Sequence, residues 1–219
     1  MSRAVPAHGV DDGAARALAD DGATRALADD GARSHGADDG AAATAVGDRT
    51  GEVLDGGGPG GVDVVRVTSR AQLEQCWEVR TEVFVVEQHV PLAEEIDDLD
   101  TAATTTHVLA VERTTGRALG TGRLLSDPAH AGEVHLGRLA VRAAARRTGL
   151  GARLVVAIEA LALAGHAEPA GAALEVTVVL SAQESAMGFY RRLGYEVVDG
   201  ERYLDAGIWH QDMRRRVRA

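Results

Sequence analysis

No lysine and no asparagine occur anywhere in this 219-residue chain, so all 23 basic residues are arginine. Both missing residues are encoded by A-rich codons, and we read their absence as the bias of a GC-rich bacterial genome. One chemical consequence follows: apart from its α-amino group, the chain has no amine of its own to be modified. Cys76 is the one cysteine, which excludes an internal disulfide. Aromatics make up 3% of the chain against 45% hydrophobic residues, so a core has to come from Val, Leu and Ala. There is no run of 18 apolar residues, which argues against a membrane span, and the segment Met1 to Pro6 opens no apolar stretch of the secretory kind. The cytoplasm is the expected location.

A basic stripe is missing too. The net charge is −10, with eleven Asp/Glu and five Arg in residues 1–60 and twenty-two and eighteen in residues 61–219. A mildly acidic domain with scattered arginines does not read as a nucleic-acid binder. Arg214, Arg215, Arg216 and Arg218 are expected to form a short solvated tail. No His/Cys/Asp group has ligand spacing, so no metal is expected.

What the first segment does have is a repeat. Asp-Asp-Gly-Ala recurs at Asp11, Asp20, Asp29 and Asp38, a nine-residue period. Calcium-binding β-rolls share that period but carry a large apolar residue in every turn, and the third copy here (DDGARSHGA) has none. Alanine and charge bury too little surface to offset chain ordering, so this segment is expected to be disordered. Residues 1–61, ending in the Gly-rich linker 56–61, are expected to form a tail, with one domain over 62–219.

Within that domain, hydrophobic periodicity predicts strands at Val62–Val67, His107–Arg113, Ala118–Leu125, Val134–Val141 and Leu174–Leu180, with closing strands around Tyr195–Val198 and His210–Arg214. Helices are predicted from Arg70 to about Val83, with Ser69 as N-cap, and over Gly149–Ala164 and Glu184–Leu193. Phe84 to Gln88 and Glu94 to Asp100 are expected to be loop with a short helical portion. The order β-α-β-β-β-α-β-α-β-β implies an α/β fold with a mixed sheet, not a doubly wound one.

Two segments carry chemistry. Arg146-Arg147-Thr148-Gly149-Leu150-Gly151 reads as strand, tight turn and helix N-terminus, where glycines allow close approach and unpaired amides suit a phosphate. About forty residues later, Phe189-Tyr190-Arg191-Arg192-Leu193-Gly194-Tyr195 would bring a tyrosine hydroxyl near the same cleft. A diphosphate cradle with a placed phenol points to acyl transfer from a coenzyme A thioester. A P-loop is excluded because no Gly-Lys-Ser/Thr exists, and Gly-x-Gly-x-x-Gly is absent as well.

The element order, Arg-x-x-Gly-x-Gly after a Leu-Ala-Val strand, and Ala-x-x-Phe-Tyr-x-x-Leu-Gly-Tyr together resemble the GNAT acyltransferases. Arg80 to Gln88 (RTEVFVVEQ), Glu95 with Asp97, and Asp205 to His210 (DAGIWH) resemble their ElaA branch. The resemblance spans Val62 to Met213. It implies a mostly antiparallel mixed sheet flanked by helices, with a splayed cofactor cleft. It further implies that Arg146 and Arg147 open the phosphate turn and that Gly149, Leu150, Gly151 and Ala152 offer amides to the diphosphate. Leu139, Ala140 and Val141 would be the edge along which the pantetheine lies and where one amide polarises the thioester. Gln183 stands where many relatives have a cofactor-contacting asparagine.

By the same resemblance Tyr190 is the general acid, its phenol of reference pKa about 10 protonating the departing thiolate; the rival reading is a packed ring. Glu133 and His135 are the candidate bases, since Gly137 stands where some relatives have a carboxylate. Glu87, Gln88, Asp97 and His107 are the acceptor-side candidates. His210 reads equally well as a structural hydrogen bond at a strand end, and Cys76 as buried core. The implied activity is transfer of an acetyl group from acetyl-CoA to a small-molecule or peptide amine, and pairing into a homodimer is common in such folds. An inert acyl-CoA-binding sensor is the alternative.

Overall fold

In a computed structural model, the described residues are 51–57, 61–198, 200–205 and 207–219. The nine-residue repeats lie outside them. Ten strands form one sheet: β1 (Val53–Asp55), β2 (Val62–Arg66), β3 (Thr105–Glu112), β4 (Ala118–Ser126), β5 (Glu133–Val141), β6 (Glu168–Ala170), β7 (Ala173–Gln183), β8 (Glu196–Val197), β9 (Tyr203–Asp205) and β10 (Ile208–Arg218). Their order is β1-β2-β3-β4-β5-β7-β10-β8, with β6 beside β7 and β9 beside β10. Every pairing is antiparallel except β5 with β7. The expected mixed, mostly antiparallel sheet is what forms.

Helices cover the two faces. α1 (Arg70–Arg80) starts at a capping box in which Ser69 accepts from the Gln72 amide and the Gln72 side chain accepts from that of Ser69. It continues as a wider π-helical segment, Thr81–Glu87, so of the stretch expected to be loop with a short helical portion, Phe84 to Glu87 are helical throughout. Cys76, Val79, Val83 and Phe84 of this stretch pack on Val65, Leu109, Val111 and Ala140. After the four-residue α2 (Leu92–Glu95), α3 (Leu150–His166) covers the opposite face through Leu154, Val155, Ile158 and Ala162. It sits close because β4 has glycines beneath it. A Cβ on Gly122 would lie 2.7 Å from Ile158 Cδ1, and one on Gly120 would lie 3.0 Å from Leu154 Cδ1. Each such buried side chain contributes roughly 1.5–3 kcal/mol. α4 (Met187–Arg192) is short and closes the end of the sheet beside β7.

Two sequence expectations need correction. The folded domain does not begin at Val62. β1 already pairs with β2, and Arg153 Nε donates to Asp55 at 2.5 Å, tying β1 to α3. The C-terminal arginines are not a solvated tail. They are the last half of β10, laddered to β7, with Arg215 on Glu159 and Arg218 on Glu175. Among the described residues no helix is long and apolar enough to cross a membrane.

Candidate active site

The site begins with a break in the sheet. β5 and β7 are paired only at Glu133–Thr177, Val134–Val178 and His135–Val179; beyond those residues the ladder stops. The cause lies on the other side of β5. Thr121 faces Ala140 and Arg123 faces Gly137, so Arg138 and Leu139 together oppose Gly122 in a bulge. Arg138 takes a φ of 49°, a strained value for a residue with a Cβ. Its guanidinium compensates by donating to the Glu94 carbonyl (2.9 Å) and to Asp97 (3.2 Å). The bulge bends β5 away from β7, and Leu139, Ala140 and Val141 form one prong of the resulting fork.

Beyond that prong comes the turn expected to hold phosphate. Arg147 and Gly149 both take left-handed backbone conformations, with φ 62° and 85°. Gly149 is the N-cap of α3 and supplies no side-chain cap, which leaves the amides of Leu150, Gly151 and Ala152 at an uncapped, positive helix end with no acidic residue in its first turn. A Cβ added to Gly149 would meet nothing within 4 Å. Arg146 stays beside the turn, not in it. Its Nε donates to the Val141 carbonyl (2.9 Å) and its Nη2 to Glu87 (2.5 Å).

The other prong is the end of β7 and the helix after it. Gln183 is wholly buried, and neither atom of its amide group has a hydrogen-bond partner. Tyr190 is wholly buried between Phe189 and Tyr195 in edge-to-face contacts, and its hydroxyl is likewise unpartnered. Burial pushes its pKa far above the usual range, so it stays a neutral phenol. Unpaired buried polar atoms are costly. Gln183 ends β7 and Tyr190 lies on the helix that follows, so this prong carries polar atoms free to meet a polar ligand.

At the closed end of the fork a cavity opens on the face that α1 leaves uncovered. Glu133 and His135 both line it, as do Leu125, Val179 and Leu180. Glu133 is exposed and His135 is buried. Asp127 and His130 are paired at 2.8 Å at one rim. At the other, Ser181 donates to Asp212 (3.0 Å), and the Tyr203 hydroxyl lies 2.6 Å from Ser181 Oγ and 2.7 Å from Asp212 Oδ1. Burial and the adjacent Asp212 raise the Tyr203 pKa. His210 donates Nδ1–H to the Ile208 carbonyl (3.0 Å), the expected strand-end bond, and stacks on Tyr203 with ring centroids 6.0 Å apart. Ser181, Asp212 and Tyr203 were invisible to sequence reasoning because three separate strands bring them together.

The acceptor-side candidates divide. Asp97 and His107 belong to a buried ionic cluster next along β4 from the cavity. Arg80 donates to Glu95 (2.5 Å) and Asp100 (2.6 Å), and Arg123 donates to Asp97 (2.8 Å) and Asp100 (2.9 Å). Burial pushes the Asp100 carboxyl up, but Arg80 and Arg123 outweigh it and hold the pKa below the usual range. His107 Nε2 donates to the Asp100 carbonyl (3.0 Å), and burial depresses its pKa, so it is a neutral structural donor. Glu87 is engaged by Arg146, whereas the amide atoms of Gln88, at the end of the π-helical segment, are buried without partners. Cys76 is fully buried and its pKa is pushed up to about 12 by that burial, which makes the thiol inert.

Comparison with known proteins agrees with this geometry. Residues 67–217 match the family described as acetyltransferase (GNAT) domain. An uncharacterized N-acetyltransferase of Bacillus subtilis, YjcF, is 34% identical over 142 residues, 65% of this chain and 91% of its own. Among solved structures, an acyl-CoA N-acyltransferase from Pseudomonas aeruginosa is 35% identical with a TM-score of 0.59, covering 70% of this chain and 99% of that one. Escherichia coli ElaA is 26% identical with a TM-score of 0.60 over the same shares.

Proposed function

The chain belongs to the GNAT acetyltransferase family, and on that premise we propose that it moves an acetyl group from acetyl-CoA to an amine by direct attack. The observation that carries this reading is the fork between β5 and β7, which opens at the Arg138 bulge and leads to the uncapped N-terminus of α3. The residues present fit an acyl-CoA. Amides of Leu150, Gly151 and Ala152 would take the diphosphate, with Gly149 leaving room for it and Arg147 beside it. The main chain of Leu139, Ala140 and Val141 would run along the pantetheine, and one of its amides would stabilise the charge developing on the thioester oxygen. Gln183 would hydrogen-bond the cofactor arm.

In this reading the acceptor reaches the thioester from the cavity lined by Glu133 and His135, which accept its proton directly or through water. Tyr190 gives its proton to the departing sulfur, a role that a phenol kept neutral by burial suits. Asp97 and His107 support the acceptor wall through the ionic cluster, and Gln88 supplies an amide to the acceptor side. The acceptor is a small-molecule or peptide amine met in the cytoplasm.

An inert acyl-CoA-binding module is the competing reading, and free-thiol release separates the two. Purified protein is incubated with acetyl-CoA and a panel of primary amines, and thiol is scored with a chromogenic reagent; the buried Cys76 adds no background. Amine-dependent thiol release is expected. Binding of acetyl-CoA without release for any amine would leave the inert module, and no CoA binding at all would remove both.

A further inference from the structure

The cavity contains a cluster that none of the family motifs cover. Ser181 Oγ, Asp212 Oδ1 and Tyr203 Oη lie within 3.0 Å of one another, the first two lining the cavity. Ser181 is two positions beyond Val179, the last β7 residue paired with β5, so it stands where the fork opens. The cluster offers a ligand one carboxyl group and two hydroxyl oxygens, an arrangement of acceptors that suits neither an anion nor a carbonyl. An ammonium group brings three N–H donors and a positive charge.

The rest of the cavity agrees in sign. Its walls carry Asp127, Glu133 and Asp212 against Arg214, with apolar surface from Leu125 and Val179 between the polar rims. We propose that Ser181 and Asp212, oriented by Tyr203, bind the ammonium group of the acceptor, that Asp212 takes its first proton, and that the acceptor is a primary amine on an apolar stem. This rests on the N-acyltransferase reading above.

The step balances. The ammonium loses two protons: one passes to the Asp212 carboxylate and on to solvent, and the other, taken up by Glu133 or His135 and passed on through water, replaces the proton that Tyr190 gives to the departing CoA sulfur. The amine nitrogen forms its bond to the acyl carbon as the carbon–sulfur bond breaks. Tyr203 is a positioning residue. It orients Ser181 and Asp212, its ring is backed by His210, and its hydroxyl remains protonated throughout.

The test uses the full chain with acetyl-CoA and n-hexylamine, benzylamine and 1,6-diaminohexane as probes. For the best probe, Asp212→Asn is expected to raise the amine KM at least tenfold and lower kcat, and Tyr203→Phe to raise KM several-fold. The CoA dissociation constant by calorimetry is expected to stay within twofold of the parent in both. Asp212→Glu should recover part of the loss, which a merely structural role would not give. Should Asp212→Asn fail to fold, Ser181→Ala provides the same KM comparison. Parent turnover with an amine KM unchanged in the variants overturns the assignment and leaves N-acyl transfer standing. No thiol release by the parent with any of the three probes overturns the assignment to amines on apolar stems, and failure across the wider amine panel overturns the transfer reading as well.

Discussion

Arg146 and Glu87 join the two halves of the site. The guanidinium beside the turn proposed for phosphate donates at 2.5 Å to a carboxylate at the end of the π-helical segment. An anion is thereby held next to the place proposed for a diphosphate. π-Helical segments are frequent at functional sites, and here the segment brings Glu87 to the turn and Gln88 just beyond it.

Replacing Glu87 with Gln removes that anion and frees Arg146 to turn toward phosphate. CoA affinity, measured by calorimetry, is expected to increase several-fold. The pair is partly exposed, at 16% and 32%, so the melting temperature should move by the equivalent of less than about 1 kcal/mol. Weaker CoA binding would show that Glu87 instead orders the turn.

Gly149→Ala separates backbone strain from ligand contact. At φ 85° a Cβ costs roughly 1–2 kcal/mol, yet it meets no neighbour within 4 Å in the protein itself. A small fall in denaturation midpoint is expected, together with at least a tenfold loss of CoA affinity. Unchanged affinity would remove the turn from the cofactor site.

For Tyr190→Phe, stability and rate are expected to diverge. The deleted hydroxyl is buried and unpartnered, so its loss should leave stability unchanged or slightly raised. Turnover should fall about a hundredfold or more if the phenol supplies the leaving-group proton, with CoA affinity little altered. A variant with parental turnover would make Tyr190 a core ring and nothing more.

Arg80→Met leaves Glu95 and Asp100 buried without their shared cation. The expected cost is about 3–5 kcal/mol, a fall in melting temperature on the order of 10 °C for a domain of this size. Differential scanning calorimetry reads it directly.

Stability should also fall with pH on the acid side. Burial holds the His107 pKa below its ordinary value of about 6.5, so below that pH the unfolded chain binds a proton that the folded chain refuses. Asp100 adds a term of the same sign below about pH 4, where the unfolded chain takes a proton that Arg80 and Arg123 keep off the folded one. Urea midpoints of the parent should decline from about pH 6.5 downward, and His107→Gln should decline less steeply between there and pH 5.

How far the sequence reached depended on whether a feature is local. The turn before α3 was legible as a turn because Gly149 and Gly151 sit at one strand–helix junction. The central strands were legible from alternation. β1 was not, since Val53–Asp55 is three residues among glycines and is fixed by Arg153 nearly a hundred positions away. The fork's origin was hidden as well: the left-handed residue at the bulge is Arg138, not a glycine, and its strain is offset by guanidinium bonds to Asp97 and the Glu94 carbonyl. Nothing in the spacing of Ser181, Tyr203 and Asp212 announces a cluster, because it arises from the register of β7, β9 and β10. The segment Arg214 to Arg218 misled for the opposite reason, since charge on a strand's exposed positions looks like a terminus when the pairing strand is unknown.

An amine attacks only as its free base, a form that aliphatic amines reach in quantity well above neutrality. Lysines at positions 80, 123 and 138 would discharge over that alkaline range and release the carboxylates they held. Guanidinium groups keep their protons there. The wall beside the cavity is thus locked in the same charge state where an acceptor would be most nucleophilic, a robustness to base that a chain with no lysine obtains for its whole interior.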